Sequence, residues 1–340
     1  MITLLHRPAA IAVGLAADLV LGEPPLRPHP VAAFGTLMNH VEARIGGPSR
    51  LRGAVHAAIG LAVGATAGSL VRSTTLATYV AVAPKGLVDA AGEVGRALTD
   101  GSLEDARRFV PALVSRDPDE LDEAGLARAA VESVAENTVD AVVAPVFWAL
   151  AGGAPGVAAH RALNTLDAMV GYRTERHERY GWASARLDDA AAWLPARATA
   201  VLVAAARPHR AAAVWRAVRD DAPAHPSPNG GVAEAAFAAA LGLRLGGPTT
   251  YHGALEIRPT LGDGRPPEPA DVARASRLLR DVTLLLIAAL VTVERTRQRI
   301  AASEHPPDRD VPAHPTVTSP THPTVTSPPA RPSLPPPTRP

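Results

Sequence analysis

The chain has 340 residues, with 34 Lys and Arg against 33 Asp and Glu, for a formal net charge of +1. That balance argues against a nucleic-acid partner, which needs a clustered positive excess. Lys85 is the single lysine, and every other basic residue is arginine. Cysteine is absent, which excludes disulfides, thiolate zinc sites, iron–sulfur ligation and a cysteine nucleophile. Aromatic residues make up 4 % and apolar residues 47 %, so a core must be built mostly from Ala, Leu and Val. Two classes stay open: an alanine-rich soluble helical protein or a multi-pass membrane protein.

In chain order, residues 9–21 form a first apolar stretch that contains Asp18. It lacks the small-residue cleavage pattern of a secretory signal and is expected to be a retained helix. Residues 54–71 carry no formal charge over 18 positions, and residues 141–159 carry none over 19, with Pro145 and Pro155 inside. A bilayer-spanning helix needs about 20 predominantly apolar residues, so both qualify as spans. Shorter apolar stretches at 76–83, 198–206 and 282–293 are either centres of further spans or buried soluble helices. Arg27, Arg44, Arg50 and Arg52 follow the first stretch, which places the 22–52 loop in the cytoplasm by the positive-inside rule; Arg295, Arg297 and Arg299 put the tail there too. From Ser303 the composition changes: thirteen of the last 36 residues are proline, and His-Pro-Thr-Val-Thr-Ser-Pro occurs at 314–320 and 322–328. Such a segment lacks amide donors and bulky apolar groups, and reads as a disordered, partly polyproline tail. Its His314 and His322 are incidental to that repeat. The expected architecture is therefore all-α, a multi-pass membrane domain over residues 1–302 with cytoplasmic helical segments, followed by a disordered tail over 303–340.

Polar residues form four patches. Glu132, Glu136 and Asp140 are spaced i, i+4, i+8, which stacks three carboxylates on one helix face. Like charges so placed need a counter-charge, which arginines, a Mg²⁺–nucleotide or a cationic substrate could supply; Asn137 adds a neutral ligand or donor. Asn164 and Asp167 share a face, Arg173, Arg176 and Arg179 lie within seven residues, and Arg186 precedes the Asp188–Asp189 pair. Arginine forks suit phosphate and carboxylate oxygens, and paired aspartates suit a hard cation; an ordinary surface helix with ion pairs is the plain alternative. His225-Pro-Ser-Pro-Asn-Gly-Gly forces a tight loop before a helix near Val232. It is either a phosphate-binding helix N-terminus or a capping loop with Asn229 as cap and Glu234 in the first turn. The fourth patch joins Asp18 to Gly22-Glu-Pro-Pro-Leu-Arg-Pro-His-Pro-Val; an acidic group in a membrane helix is a functional suspect. No Walker loop, dinucleotide fingerprint, zinc-protease motif or nucleophile elbow is present. Any nucleotide chemistry must proceed without a Walker loop.

Taken together, these segments resemble the adenosylcobinamide-phosphate synthases, the CobD/CbiB family. The resemblance rests on Asp18-Leu-Val-Leu-Gly-Glu-Pro with His29-Pro-Val, and on Arg128-Ala-Ala-Val-Glu-Ser-Val-Ala-Glu-Asn-Thr. It continues in Asn164-Thr-Leu-Asp-Ala-Met-Val-Gly-Tyr, Gly181-Trp-Ala-Ser-Ala-Arg-Leu-Asp-Asp, His225-Pro-Ser-Pro-Asn-Gly-Gly and Glu256-Ile-Arg-Pro-Thr-Leu-Gly-Asp-Gly, in order across roughly residues 10–295. Lys85 stands where an arginine is expected, Gly231-Val232-Ala233 replaces a bulkier aromatic–proline step, and the tail lies outside the resemblance.

The resemblance implies a multi-pass protein of the cell membrane that joins adenosylcobyric acid to (R)-1-amino-2-propanol O-2-phosphate, using ATP and Mg²⁺. It further suggests association with other late cobalamin-pathway membrane enzymes. A carboxylate is a poor acyl donor, so a phosphoryl group from ATP would first give an acyl phosphate, which the amine then attacks. That chemistry asks for charge neutralisation and positioning rather than a nucleophilic side chain. Glu132, Glu136, Asn137 and Asp140 are the expected catalytic set, and Asp188 and Asp189 the expected Mg²⁺ ligands. Asn164, Asp167, Arg173, Arg186, Ser227, Asn229, Gly230 and Glu234 are expected to bind substrate or phosphate. The competing readings are a non-enzymatic corrinoid carrier or envelope sensor on a related scaffold, and a soluble helical transferase.

Overall fold

A computed structural model describes residues 7–114, 118–119, 121–171, 176–251 and 254–304. The expected tail lies, from residue 305 onward, outside the described residues. One compact unit spans Met1–Gln298; a second begins at Arg299, and its described part is the end of the last helix.

The described elements are α1 (Arg7–Leu21), α2 (Pro30–Ile45), α3 (Arg50–Val71), α4 (Thr74–Ala81), α5 (Pro84–Thr99), α6 (Leu103–Phe109), α7 (Glu123–Thr138), α8 (Ala144–Val170), α9 (Trp182–Ala206), α10 (Ala211–Asp220), α11 (Gly230–Leu241), the strands β1 (Leu245–Tyr251) and β2 (Ala254–Leu261), and α12 (Pro269–Glu304). The expectation of an all-α fold needs one correction: β1 and β2 pair antiparallel, with a bulge between Leu245 and Gly247. The bulge residue Gly246 has φ +77°, and a Cβ there would lie 2.0 Å from the Pro259 carbonyl oxygen, so only glycine fits.

Among the described residues two helical runs are long and apolar enough to cross a membrane, α3 and the continuous rod Glu123–Val170. Only 28 % of the apolar stretch of α3 is buried, against 56 % for the rod. The buried side of α3 is a line of small residues, Gly60, Gly64 and Gly68, set against α8. A Cβ on Gly64 would sit 2.6 Å from the Ala162 methyl, and one on Gly68 2.3 Å from the Ala154 carbonyl oxygen. Small residues at every fourth position let two helix backbones approach closely, which is how helices associate where apolar burial alone gives no preference.

The rod is interrupted twice. A π turn at Val139–Val143 joins α7 to α8, and Gly153 (φ 64°, ψ −147°) breaks α8 two residues before Pro155. Each proline inside these helices removes the N–H that would bond the carbonyl four residues back. A distant donor meets each of those carbonyls. Ala141, four before Pro145, accepts from the Ala83 amide at 3.1 Å. Ala151, four before Pro155, accepts from the Arg7 guanidinium at 3.2 Å. Ala191, four before Pro195 of α9, accepts from the Trp148 indole at 3.1 Å.

Two cores result. The larger surrounds α11, all twelve residues of which are buried, and draws on α5, α7, α9 and the first half of α12. The smaller gathers α1, α4, the first part of α8 and Leu290 of α12.

Candidate functional site

The acidic stripe divides between two sets of partners. Glu132 is buried and accepts from the Gly246 amide at 2.8 Å, while Arg128, one turn earlier, donates to the Gly246 carbonyl at 3.0 Å. The i, i+4 pair Arg128–Glu132 thus grips both polar groups of the β1 bulge. Asn137 donates back to the Ser133 carbonyl at 3.0 Å. Glu136 and Asp140 face a different company. Asp140 interacts electrostatically with Glu136, Asp167 and Arg161, and its carboxylate takes a hydrogen bond from Asn164.

Asn164 bonds Asp188 as well, and Asp188 also feels Asp140, Asp167 and Asp189. Asp167 feels Asp189 and Glu136. Five carboxylates, from the α7–π junction, α8 and α9, therefore converge around one carboxamide. Arg161 donates to the Asn164 side-chain oxygen at 3.3 Å and is the cation drawn into this cluster, its charge felt by Asp140. Burial pushes the Asp188 carboxyl well above the usual carboxylate range, and the neighbouring acids Asp140, Asp167 and Asp189 push it the same way. One of its oxygens, Oδ1, is buried without a hydrogen-bond partner.

The 225–231 loop closes one side. Gly230 packs on Glu136: a Cβ there would lie 3.5 Å from the Glu136 Oε1. Asn229 does not cap α11. Its amide instead donates to the Asp189 carbonyl at 2.8 Å, and its oxygen accepts from Arg197 at 2.9 Å, tying the loop to α9. Ser227 does the capping, its hydroxyl accepting from the amides of Asn229 and Gly230 at 3.3 and 3.0 Å. α11 starts at Gly230, two residues earlier than the expected Val232, and those loop amides face inward onto Ser227. Glu234 is buried one turn into α11, 3.6 Å from the His225 ring.

The structure thus brings together Glu136, Asp140, Asn164, Asp167, Asp188, Asp189, Asn229 and Gly230. It sets Glu132, Asn137 and Glu234 to hold neighbouring backbone and loop. Arg186 is exposed, and Arg173 lies outside the described residues. Asp18, the suspect of α1, accepts from the Lys85 amide at 3.0 Å and so caps α5, whose own N-cap residue, Ala83, has no capping side chain. Arg161 and Arg197 went unrecognised in the sequence. Arg161 lies three residues before Asn164, a same-face spacing that marks it in hindsight.

Among the described residues no group of three or more His, Asp or Glu is arranged to hold a metal ion unaided. Mg²⁺ rarely uses an all-protein cage, and one or two carboxylates with nucleotide phosphates satisfy it. Asp188, with its unpartnered oxygen, and Asp189 fit that mode.

Fold and site together define a helical protein with membrane-length helices and an acid-rich centre in which Asp188 is buried and Glu136 exposed. The family profile described as CobD/Cbib protein matches residues 11–279. The chain is 47 % identical over 308 residues to the cobalamin biosynthesis protein CobD of Mycobacterium tuberculosis, an alignment covering 86 % of this chain and 97 % of that one. It is 45 % identical to that of Chromobacterium violaceum (79 % and 91 % covered) and 39 % identical to that of Rhodobacter capsulatus (84 % and 97 %). The chain belongs to the CobD/CbiB family. No solved structure matches it.

Proposed function

We propose that this protein is a cobalamin-biosynthesis enzyme of the cell membrane, an adenosylcobinamide-phosphate synthase. The reaction joins the carboxylate of adenosylcobyric acid to the amine of (R)-1-amino-2-propanol O-2-phosphate, converts ATP to ADP and inorganic phosphate, and forms one amide bond. The relatives support the pathway by their names, and the ligase chemistry is supported by the residues of the site and by the family resemblance. The observation that carries it is the convergence of Glu136, Asp140, Asp167, Asp188 and Asp189 around Asn164, with Arg161 as counter-charge. Self-repulsion of that kind is tolerated in a folded protein where a cation is to be received.

Within this reading Asp188 and Asp189 would hold the Mg²⁺ that accompanies ATP, which would supply charge neutralisation for phosphoryl transfer. Glu136 and Asp140 hold the incoming ammonium and take its proton as the amide forms. Asn164 orients the two carboxylates that it bridges. Asn229 and Gly230 seat α9 and Glu136 at the correct separation. Multi-pass insertion is part of the reading, supported by α3, by the Glu123–Val170 rod and by exposed apolar side chains such as Leu51, Leu70, Leu150 and Val201. Association with other late cobalamin-pathway enzymes would keep a membrane-held intermediate local.

The test uses membranes expressing the full chain, supplied with adenosylcobyric acid, aminopropanol phosphate and Mg²⁺, with and without ATP, with mass spectrometry of the corrinoids. An ATP-dependent amide product is expected. Its absence with folded protein and verified substrates would sink the synthase assignment in favour of a carrier.

A further inference from the structure

The seam between α3 and α8 is also the floor of an apolar slot of about 530 Å³, walled by α2 on one side and α4 on the other. That volume suits a small ligand, and from Val63 to Val71 the slot follows α3 for about 12 Å. It stays open because Gly64, Gly68 and Ala162 carry no side chain large enough to fill it. The walls are apolar and uncovered, with Leu37 of α2 46 % exposed and Leu76 of α4 47 % exposed. Of the side chains lining the slot only Arg161 and Thr165 are polar, and the Thr165 hydroxyl donates to the Arg161 carbonyl at 2.7 Å. Gly64 packs on Ala162, so Arg161 stands at the Gly64 end, away from Val71. A guanidinium carries five N–H donors. Among the described residues that of Arg161 makes one hydrogen bond, to Asn164, and its Nε is buried without a partner.

We infer that the slot holds an acyl chain of a membrane glycerolipid, with an ester carbonyl of that lipid accepting from Arg161. A linear hydrocarbon matches apolar walls that run along a membrane-length helix and end at one group of donors. The polar end lies where an ester group belongs, because the neighbouring acid-rich centre meets water at Glu136 while the chain runs the other way, toward the exposed Leu70 and Val71. A neutral carbonyl suits Arg161 better than a carboxylate does. Asp140 and Glu23 already answer the charge of the guanidinium, so a further anion meets their repulsion, whereas a carbonyl takes up a spare donor without it. The identity of the ligand rests on the membrane reading proposed above and not on the ligase chemistry. The same guanidinium donates to Asn164, the carboxamide shared by Asp140 and Asp188. A lipid in the slot therefore braces, from the bilayer side, the cation of the acid-rich centre.

The experiment fractionates cells expressing the full chain, then incubates the detergent-solubilised protein with three probes. These are diester phosphatidylcholine, its diether analogue with the same head group and chains, and palmitate. Native mass spectrometry reads what stays bound, with neither ATP nor corrinoid present. We expect the diester to be retained about fivefold more than the diether, the worth of one hydrogen bond, and palmitate no more than the diether. Ala67→Trp plugs the slot from an exposed position on α3 and should remove retention of both lipids. Arg161→Met should erase the ester preference; where that variant does not fold, the wild-type comparison and Ala67→Trp decide. Equal retention of diester and diether, preference for palmitate, or full retention in Ala67→Trp overturns the assignment. A chain recovered in the soluble fraction overturns the membrane reading and the slot with it, whereas a membrane-bound chain that fails the lipid arms loses the slot alone.

Discussion

Two charged regions of this molecule are built on opposite principles. At the start of α12, Asp271 is fully buried, and two arginines close on it: Arg265 at 2.6 Å and Arg274 at 2.5 Å. The Glu268 amide adds a third donor at 2.8 Å. Burial works to raise the Asp271 carboxyl, but the Arg265 bond, the Glu268 amide and the Arg274 bond outweigh it and hold it below the usual range. In the centre between α7, α8 and α9 burial and the neighbouring acids Asp140, Asp167 and Asp189 all act in one direction on Asp188 and drive it upward. The first region spends charges on the fold. The second gathers like charges, and under the proposed function it is the place where a cation arrives.

The largest effect expected from this comparison is catalytic. Glu136→Gln or Asp188→Asn should cost roughly 10²–10³ in turnover, on the scale of removing one preorganised electrostatic contact. For Asp188→Asn the melting temperature should stay level or rise, because one member of a repelling cluster is gone. A variant that loses stability and keeps turnover would reverse the assignment of the two regions. Asp271→Asn is the mirror image, with turnover of the folded fraction kept and stability lowered by about 2 kcal/mol, as for losing charged hydrogen bonds. The sign with pH follows from the depressed carboxyl. Its stabilisation is present above the unfolded-state value and is lost as pH falls through the native one, so acid should narrow the gap between wild type and Asp271→Asn. Chemical denaturation at two pH values checks both.

Much of this contrast was readable in the sequence. The uncharged runs at 54–71 and 141–159 became α3 and the centre of the Glu123–Val170 rod, and the acids singled out on α8 and α9 do converge. What periodicity could not show is which distant backbone meets each carboxylate. Glu132 meets Gly246 and Glu136 lies beside Gly230, so a stripe of three became a gripping residue for the β1 bulge and two members of the centre. The hairpin escaped because Leu-Gly-Gly-Pro-Thr-Thr-Tyr has too little alternation to read as a strand, and its bulge is held by Arg128 and Glu132 from another element.

The raised carboxyl of Asp188 sharpens the comparison in a second way. A metal ligand must be deprotonated, so a Mg²⁺ held at Asp188 as proposed would compete with a proton there and with none at an ordinary carboxylate near neutral pH. As pH rises, the Mg²⁺ concentration giving half-maximal turnover should fall, by up to tenfold per unit while a single proton is displaced. Asp188→Asn, in whatever activity remains, should flatten that dependence. A flat wild-type profile between pH 6 and 8 would show that Asp188 does not meet the metal.

Neutral hydrogen bonds give the reference against which both charged regions are measured. The Ala191 carbonyl, orphaned by Pro195, is met by the Trp148 indole at 3.1 Å and by no ion. Trp148→Phe keeps most of the apolar bulk and removes that donor, at an expected cost of about 1 kcal/mol. Its bond links α8 to α9, the helices that carry Asp167 and Asp188, so a second outcome is diagnostic. If the acid-rich centre tolerates small shifts between its helices, thermal stability falls while the Mg²⁺ dependence stays fixed. If the centre depends on helix register, Trp148→Phe raises the Mg²⁺ requirement as well, and the neutral bond then acts on the charged site through the backbone that it holds.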